Sequence, residues 1–113
     1  MRMHPPWPEL NNLPCAQVAI SCALGYIVPM SPSRIDGYTT LANQNRYVRQ
    51  YLNVAKSVTF KRGERPKLKD FLANVTRKAI ICVYGHFVYY DGKNYLSYFD
   101  NDNDEVVRVW YLR

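Results

Sequence analysis

Hydrophobic residues along this chain follow helical spacing in the first two thirds and strand-like patterns in the last third. Residues 15–24, "CAQVAISCAL", are apolar on nearly all sides, follow a proline and end at Gly25, which is typical of a central helix with a glycine C-cap. Residues 41–52 carry leucine, valine and tyrosine near helical spacing and predict a second helix. The stretch "PKLKDFLANV" predicts an amphipathic third helix with Pro66 at its first position.

The segments between these helices carry turn and loop residues. Prolines at positions 5, 6 and 8 predict that residues 1–13 form an extended leader lying against the domain. The stretch "IVPMSPSRIDGY" is interpreted as a loop, "SVTFKR" as a short strand and "GERPK" as a turn. None of these segments predicts a second domain or an internal repeat.

From residue 79 onward the chain is rich in β-branched and aromatic residues. This pattern predicts strands at 79–90, 94–100 and 105–112, with a turn at Asp91-Gly92 and a polar "DNDND" connection. Helices followed by an antiparallel meander indicate an α+β fold, in which the helix that begins at Cys15 packs on the C-terminal sheet. The 113 residues are sufficient for one domain, 1–113.

Composition and charge narrow the class of protein without naming a partner. Lys and Arg number 15 against nine Asp and Glu, a net charge of +6, which would attract acidic proteins or nucleic acid. No apolar run approaches the ~20 residues of a membrane span. We therefore expect a cytoplasmic protein that acts on a protein substrate or partner, with an acidic one as a candidate, rather than at a membrane.

The three cysteines, Cys15, Cys22 and Cys82, are an odd number at wide spacing, and the chain has two histidines, His4 and His86. This is a poor pattern for a disulfide framework or a structural zinc site, so reduced thiols and no cofactor or metal are expected. Cys22 and Cys82 are predicted to be buried in the core.

Cys15 is the candidate nucleophile, because unpaired N–H groups and the helix dipole at a helix N-terminus favour a thiolate. A cysteine nucleophile also needs a histidine within hydrogen-bond reach and a third group that orients the imidazole. His86 lies in a predicted strand, and the following hairpin brings Asp100 back towards it. Strand alternation is expected to place Cys82, Tyr84 and His86 on one face.

The partner of His86 depends on the hairpin register. A three-residue connection at 92–94 places Asp100 opposite His86, whereas a two-residue Asp91-Gly92 turn places Ser97 there. Each residue alone is more often structural, but the order Cys, His, Asp strengthens the catalytic interpretation.

Three stretches, "PCAQVAISCALG", "KLKDFLANV" and "GHFVYYDGKNYLSYFDNDNDEVVRVWYL", together resemble a group of small bacteriophage proteins of the papain-like cysteine peptidase type. The resemblance covers most of the chain. It implies a papain-like fold in a bacterial host cytoplasm, with Cys15 as nucleophile, His86 as general base and Asp100 as the aspartate that orients the imidazole. His86 and Asp100 are fourteen residues apart, in agreement with that pattern.

Two positions depart from the pattern of the resembled proteins. Pro14 stands where they usually have aspartate or glycine, and Glu9 occupies the position of the glutamine that stabilises the oxyanion. A carboxylate cannot donate a hydrogen bond unless it is protonated. Asn11 or Asn12, with the backbone N–H of Cys15, are the alternative donors.

The favoured hypothesis is a phage-encoded thiol hydrolase that attacks an amide or thioester of a host or phage protein. The alternative is a non-catalytic papain-like binding module that acts as a host-takeover or anti-defence inhibitor. A third hypothesis, nucleic-acid binding through "FKRGERPKLK" and the tyrosines, is weaker, because most tyrosines fall in predicted strands or helices.

Overall fold

A computed structural model describes residues 1–29, 35 and 39–113. The described part is a mixed α/β fold of three helices and one six-stranded sheet, with strand order β1-β5-β4-β3-β6-β2. The helices are α1 (Cys15–Leu24), α2 (Leu41–Tyr51) and α3 (Leu68–Leu72). The strands are β1 (Arg2–Met3), β2 (Val54–Thr59), β3 (Ala79–Val83), β4 (His86–Tyr90), β5 (Tyr95–Leu96) and β6 (Val106–Leu112).

Hydrophobic residues cover both faces of the sheet. One face packs against α1 and α2 and includes Ile80, Phe87 and Trp110, with the Phe87 and Trp110 rings stacked 5.8 Å apart. The other face packs against α3 and includes Ile81 and Val88. Because β3 and β4 are buried on both faces, they are almost continuously apolar in sequence.

Helix α1 begins and ends where the sequence predicts. Pro14 is its N-cap residue, and Gly25 takes a left-handed conformation with φ 85° while its N–H donates to the Ser21 carbonyl. Most of its residues are buried, as expected for a central helix. Its main neighbour is β4, so that the first turn of α1 lies near the strand that begins with His86.

Two predicted elements shift in position. Helix α3 begins at Leu68 instead of Pro66, because the Pro66 carbonyl accepts the Val106 N–H and Lys67 bridges to Glu105, which keeps these residues extended. The strand predicted from "SVTFKR" is β2, which starts at Val54 and pairs antiparallel with β6.

The prediction of a single strand over residues 79–90 is wrong, because these residues form a hairpin. β3 pairs with β4 so that Val83 is opposite His86 and Cys82 is opposite Phe87, with a two-residue turn at Tyr84 and Gly85. Gly85 has φ 80°, a conformation that glycine adopts readily. Cys82 and His86 therefore do not share a face, contrary to the alternation predicted for one continuous strand.

The predicted extended leader is partly confirmed. Residues 2 and 3 form β1, which pairs in parallel with β5: the N–H of Tyr95 donates to the Met1 carbonyl and that of Ser97 to the Met3 carbonyl. Residues Pro8–Leu10 form a short 3-10 helix instead of extended chain.

Two findings concern membrane spans and metal ions within the described residues. Across 1–29, 35 and 39–113, no helix is long and apolar enough to cross a membrane. In the same ranges, no group of three or more His, Cys, Asp or Glu residues is placed to hold a metal ion. Most of the predicted loop "IVPMSPSRIDGY", including Gly37, lies outside the described residues.

Candidate functional site

A cavity of about 310 Å³ brings together the first turn of α1, the start of β4 and the residues that follow β5. Cys15 and His86 both line it, as the sequence analysis predicts for a nucleophile and its base. The other lining residues are Asn11, Asn12, Leu13, Val18, Phe87, Ser97, Tyr98 and Phe99. Among the described residues that line the cavity, His86 is the one whose side chain ordinarily titrates near neutral pH.

Cys15 is the first residue of α1 and is half-buried. The Val18 N–H donates to the Pro14 carbonyl, so the helical hydrogen bonds start directly around the cysteine. Unpaired N–H groups of a first helical turn stabilise negative charge next to them. This placement is the one expected of a thiol that must become a thiolate.

His86 is the first residue of β4 and is half-buried. Its Nε2 atom lies 3.3 Å from the Ser97 Oγ, and its ring meets the Phe99 ring edge to face at 5.7 Å. Burial lowers the pKa of His86 below its ordinary value of 6.5, while the negative charge of Asp104 opposes that shift. A lowered pKa favours the neutral form of the imidazole at pH 7, which is able to accept a proton.

Asp100 is placed differently from the prediction. Its Oδ1 atom accepts a hydrogen bond from the Asp102 N–H at 3.0 Å and lies 3.5 Å from the Tyr95 hydroxyl oxygen. Among the described residues, the hydrogen-bond partner of the His86 ring is Ser97. The expected direct contact between Asp100 and His86 is not made.

The hairpin register explains this difference. Tyr90 pairs with Tyr95 and Tyr89 with Leu96, so the connection has four residues, 91–94. Both registers considered from sequence are therefore wrong. The Asp91-Gly92 turn itself is confirmed: the Asp91 Oδ1 accepts the N–H of residues 93 and 94, and Gly92 has φ 98°.

A buried chain of hydrogen bonds continues from Ser97 away from the cavity. The Ser97 hydroxyl donates to the Asn101 Oδ1 at 2.6 Å, and the Asn101 Nδ2 donates to the Asp104 Oδ2 at 2.7 Å. Ser97 and Asn101 are 2% and 5% exposed. Polar side chains this deeply buried are stable only when their hydrogen bonds are satisfied, so this network has a defined geometry.

The loop that carries this network is held by α3 and by β5. The carbonyls of Asp104 and Asp102 accept the first N–H groups of α3, from Leu68 and Lys69. The Tyr95 hydroxyl donates to the Asp102 Oδ1 at 2.7 Å and accepts the Asn101 N–H at 3.0 Å. The polar loop "DNDND" is therefore an ordered part of the site, and not only a solvated connection.

The residues considered for the oxyanion are separated by the fold. Asn11 and Asn12 line the cavity, whereas Glu9 is exposed on the short 3-10 helix. The side chains of Asn11 and Asn12 carry N–H donors, which Glu9 lacks when ionised. Asn11 and Asn12 thus share the cavity with Cys15.

A second depression, of about 410 Å³, adjoins the first. It shares Asn11 and Tyr98 with the cavity and is otherwise lined by the leader residues His4, Pro5, Pro6, Trp7 and Pro8. The Tyr98 hydroxyl donates to the Trp7 carbonyl at 3.2 Å, which fixes the leader against the loop after β5. Proline and aromatic walls of this kind accommodate apolar side chains.

The other two cysteines differ from Cys15 in environment. Each of the three is a thiol. Cys82 is fully buried, as predicted, whereas Cys22 is only half-buried, because it lies towards the end of α1. Burial nevertheless raises the pKa of Cys22 to about 11, so that this thiol is unreactive at neutral pH.

Sequence reasoning missed the roles of Asn101 and Asp104 and considered Ser97 only for a register that is not formed. The sequence signal for these residues is weak, since Ser, Asn and Asp at a strand end are typical of any solvated turn.

Comparison of the chain with protein-family models, with curated proteins and with solved structures gave no match.

Proposed function

We propose that this chain is a papain-like thiol hydrolase of the phage type, with Cys15 as nucleophile and His86 as general base and acid. The observation that carries the proposal is the shared cavity, where a cysteine at the start of a ten-residue helix and a half-buried histidine are brought together. The substrate class is an amide or thioester of a protein.

The chemistry follows from these two side chains. The Cys15 Sγ attacks the carbonyl carbon and forms a C–S bond, while its proton passes to His86. The C–N or C–S bond of the substrate then breaks, and His86 returns the proton to the leaving amine or thiol. Water, deprotonated by His86, attacks the acyl-enzyme, releases the acid and restores the Cys15 thiol.

The lowered pKa of His86 favours one version of this mechanism. A neutral imidazole at rest means that the proton is transferred as the thiol attacks, instead of a preformed thiolate–imidazolium pair. The side-chain N–H groups of Asn11 or Asn12, with the backbone N–H of Cys15, are the donors for the oxyanion.

The two adjoining depressions support a polypeptide substrate. The second depression lies along the leader and has proline and aromatic walls, so an extended chain with an apolar residue can continue into it from the cavity. The net charge of +6 favours an acidic protein partner.

The proposal is tested by alkylating the folded protein with iodoacetamide and locating the label by mass spectrometry. Cys15 is expected to react more than about tenfold faster than Cys22, whose pKa is raised, and faster than the buried Cys82. In His86→Ala the Cys15 rate is expected to fall by about tenfold or more, because the base is lost. His4→Ala, which removes the other histidine, is the matched control and is expected to leave the rate unchanged.

Equal labelling of Cys15 and Cys22, or a Cys15 rate that does not respond to His86→Ala, would contradict the hydrolase proposal. Either result would favour the non-catalytic binding module, for which the cavity serves only to bind a partner.

A further inference from the structure

The hydrogen bonds that link His86, Ser97, Asn101 and Asp104 have one consistent set of donors and acceptors, which follows from the carboxylate of Asp104. A carboxylate oxygen only accepts hydrogen bonds, so the group that faces the Asp104 Oδ2 at 2.7 Å is the amide nitrogen of Asn101. This contact fixes the orientation of the Asn101 side chain and directs its Oδ1 towards Ser97.

The orientation of Asn101 in turn determines the orientation of the Ser97 hydroxyl. The Asn101 Oδ1 is an acceptor only, and it lies 2.6 Å from the Ser97 Oγ, so the hydroxyl hydrogen is donated to it. The Ser97 Oγ also accepts the Phe99 N–H at 3.2 Å. A hydroxyl has one hydrogen, so none remains for His86.

The oriented Ser97 hydroxyl faces the imidazole of His86. With its hydrogen committed to Asn101, the Ser97 Oγ can interact with the His86 Nε2 at 3.3 Å only as an acceptor. The proton of neutral His86 is therefore on Nε2, and Nδ1 holds the free lone pair.

We propose that Ser97, Asn101 and Asp104 are positioning residues that hold neutral His86 as the Nε2–H tautomer and so keep Nδ1 available as the base. This inference rests on the proposed function for the task of Nδ1, which is to take the Cys15 proton. This relay of hydrogen bonds, formed by Ser97, Asn101 and Asp104, replaces the direct aspartate contact expected from Asp100. It is satisfied equally when Nδ1 is protonated, because the Nε2–H bond to Ser97 does not change during proton transfer.

The burial of the relay makes this arrangement rigid. Ser97 and Asn101 are nearly inaccessible to water, so solvent cannot substitute for a missing partner. The backbone on both sides is also fixed, since the Ser97 N–H donates to the Met3 carbonyl and the Asp104 carbonyl accepts the Leu68 N–H.

The test is a long-range ¹H–¹⁵N correlation spectrum of the histidine rings of the full chain, recorded at a pH where His86 is neutral. His86 signals are assigned by comparison with His86→Gln. The wild-type protein is expected to show a single tautomer with the proton on Nε2. A proton on Nδ1 in the wild type would overturn the relay, and this measurement needs no variant of the relay residues.

A second experiment makes the same measurements on two isosteric variants of the same loop. In Asp104→Asn the acceptor-only group is lost and the Asn101 amide can turn over, so a second His86 tautomer is expected, with a fall in the Cys15 alkylation rate of about tenfold. In Asp100→Asn, the matched control, the single Nε2–H tautomer and the rate are expected to be unchanged. A single tautomer in Asp104→Asn, or mixed tautomers in Asp100→Asn, would contradict the assignment.

The two proposals fail in different ways. If Cys15 is no more reactive than Cys22 while His86 shows the Nε2–H tautomer, the hydrolase proposal fails and the relay stands as a structural feature. If Cys15 reacts rapidly while His86 carries its proton on Nδ1, the hydrolase stands and the relay fails.

Discussion

The His86 Nε2 and the Ser97 Oγ, eleven residues apart in sequence, lie 3.3 Å apart in the fold. They meet because β5 ends at Leu96, after which the Phe99 N–H bonds to the Ser97 hydroxyl and turns the chain. A strand that continued to residue 100, as predicted from sequence, would carry the chain past this point. The early end of β5 is therefore what brings Ser97 to the histidine.

The phenol of Tyr95 is expected to affect both stability and the site. In Tyr95→Phe, the buried Asn101 N–H loses its acceptor, which is expected to lower the free energy of unfolding by about 1–3 kcal/mol. The loop that carries the relay should loosen and the Cys15 alkylation rate should fall. Urea denaturation and iodoacetamide labelling measure the two effects.

Tyr90→Phe is the matched control for that experiment. Tyr90 is also buried, and its hydroxyl donates to the Val75 carbonyl at 2.6 Å, on the face of the sheet covered by α3. A similar loss of stability with an unchanged Cys15 rate is expected. A fall in the rate in both variants would indicate a general loss of rigidity instead of a specific effect of Tyr95.

The free energy of unfolding should depend on pH through His86. Burial lowers the pKa of His86 in the folded protein below 6.5, so the unfolded chain binds the proton more readily. The folded state is therefore expected to lose stability as the pH falls below about 6.5. Urea denaturation between pH 7.5 and 5.5 measures this slope.

Two variants test whether His86 is the group responsible for this pH dependence of stability. His86→Gln is expected to flatten the slope, because the titrating group is gone. Asp104→Asn is expected to steepen it, because the Asp104 charge raises the pKa of His86 and partly offsets the effect of burial. An unchanged slope in His86→Gln would show that another group is responsible.

Two glycines with left-handed backbone allow a matched comparison of strain and crowding. Gly25 has φ 85° with open space around an added Cβ, whereas at Gly92, φ 98°, that Cβ would lie 2.9 Å from the Thr76 carbonyl oxygen. Gly25→Ala is expected to cost about 1–2 kcal/mol from backbone strain alone. Gly92→Ala should cost more, and thermal unfolding that ranks the two equally would contradict this reasoning.

The indole N–H of Trp110 forms a hydrogen bond with a side chain of α2. Trp110 is fully buried, and its Nε1–H donates to the Asn45 Oδ1. Asn45→Ala is expected to lower the free energy of unfolding by about 1–3 kcal/mol, because the N–H is left unsatisfied. Gln50→Ala, on the exposed side of the same helix, should change it by less than about 0.5 kcal/mol. Denaturation followed by tryptophan fluorescence checks both values.

Local sequence signals predicted the elements that have strong end markers. Helix α1 has Pro14 before it and Gly25 after it, and its bounds agree with the prediction. The hairpin of β3 and β4 was missed, because a run buried on both faces has no polar alternation and Gly85 alone marks its turn. A single glycine in an apolar run is compatible with a strand or a turn.

The site was predictable only in part, for a similar reason. Cys15 and His86 share a cavity, as their order in the chain suggested. The partner of His86 depends on a four-residue connection and on the early end of β5, and hairpin register is set by contacts that a single sequence does not display. Asn101 and Asp104 look like solvated loop residues until the fold buries the first of them.

The two outermost strands of the sheet also bear on how this chain behaves at high concentration. Strand β1 covers one edge with two residues only and is followed by the prolines at positions 5 and 6, which have no N–H to offer a neighbouring molecule. At the other edge, β2 carries an irregular pairing between Val54 and Lys56, and the Lys56 ammonium lies over the Tyr111 ring. Short strands, prolines, bulges and lysines are the features by which natural sheets resist edge-to-edge aggregation. Both ends of this sheet are thus protected against growth into intermolecular β-structure.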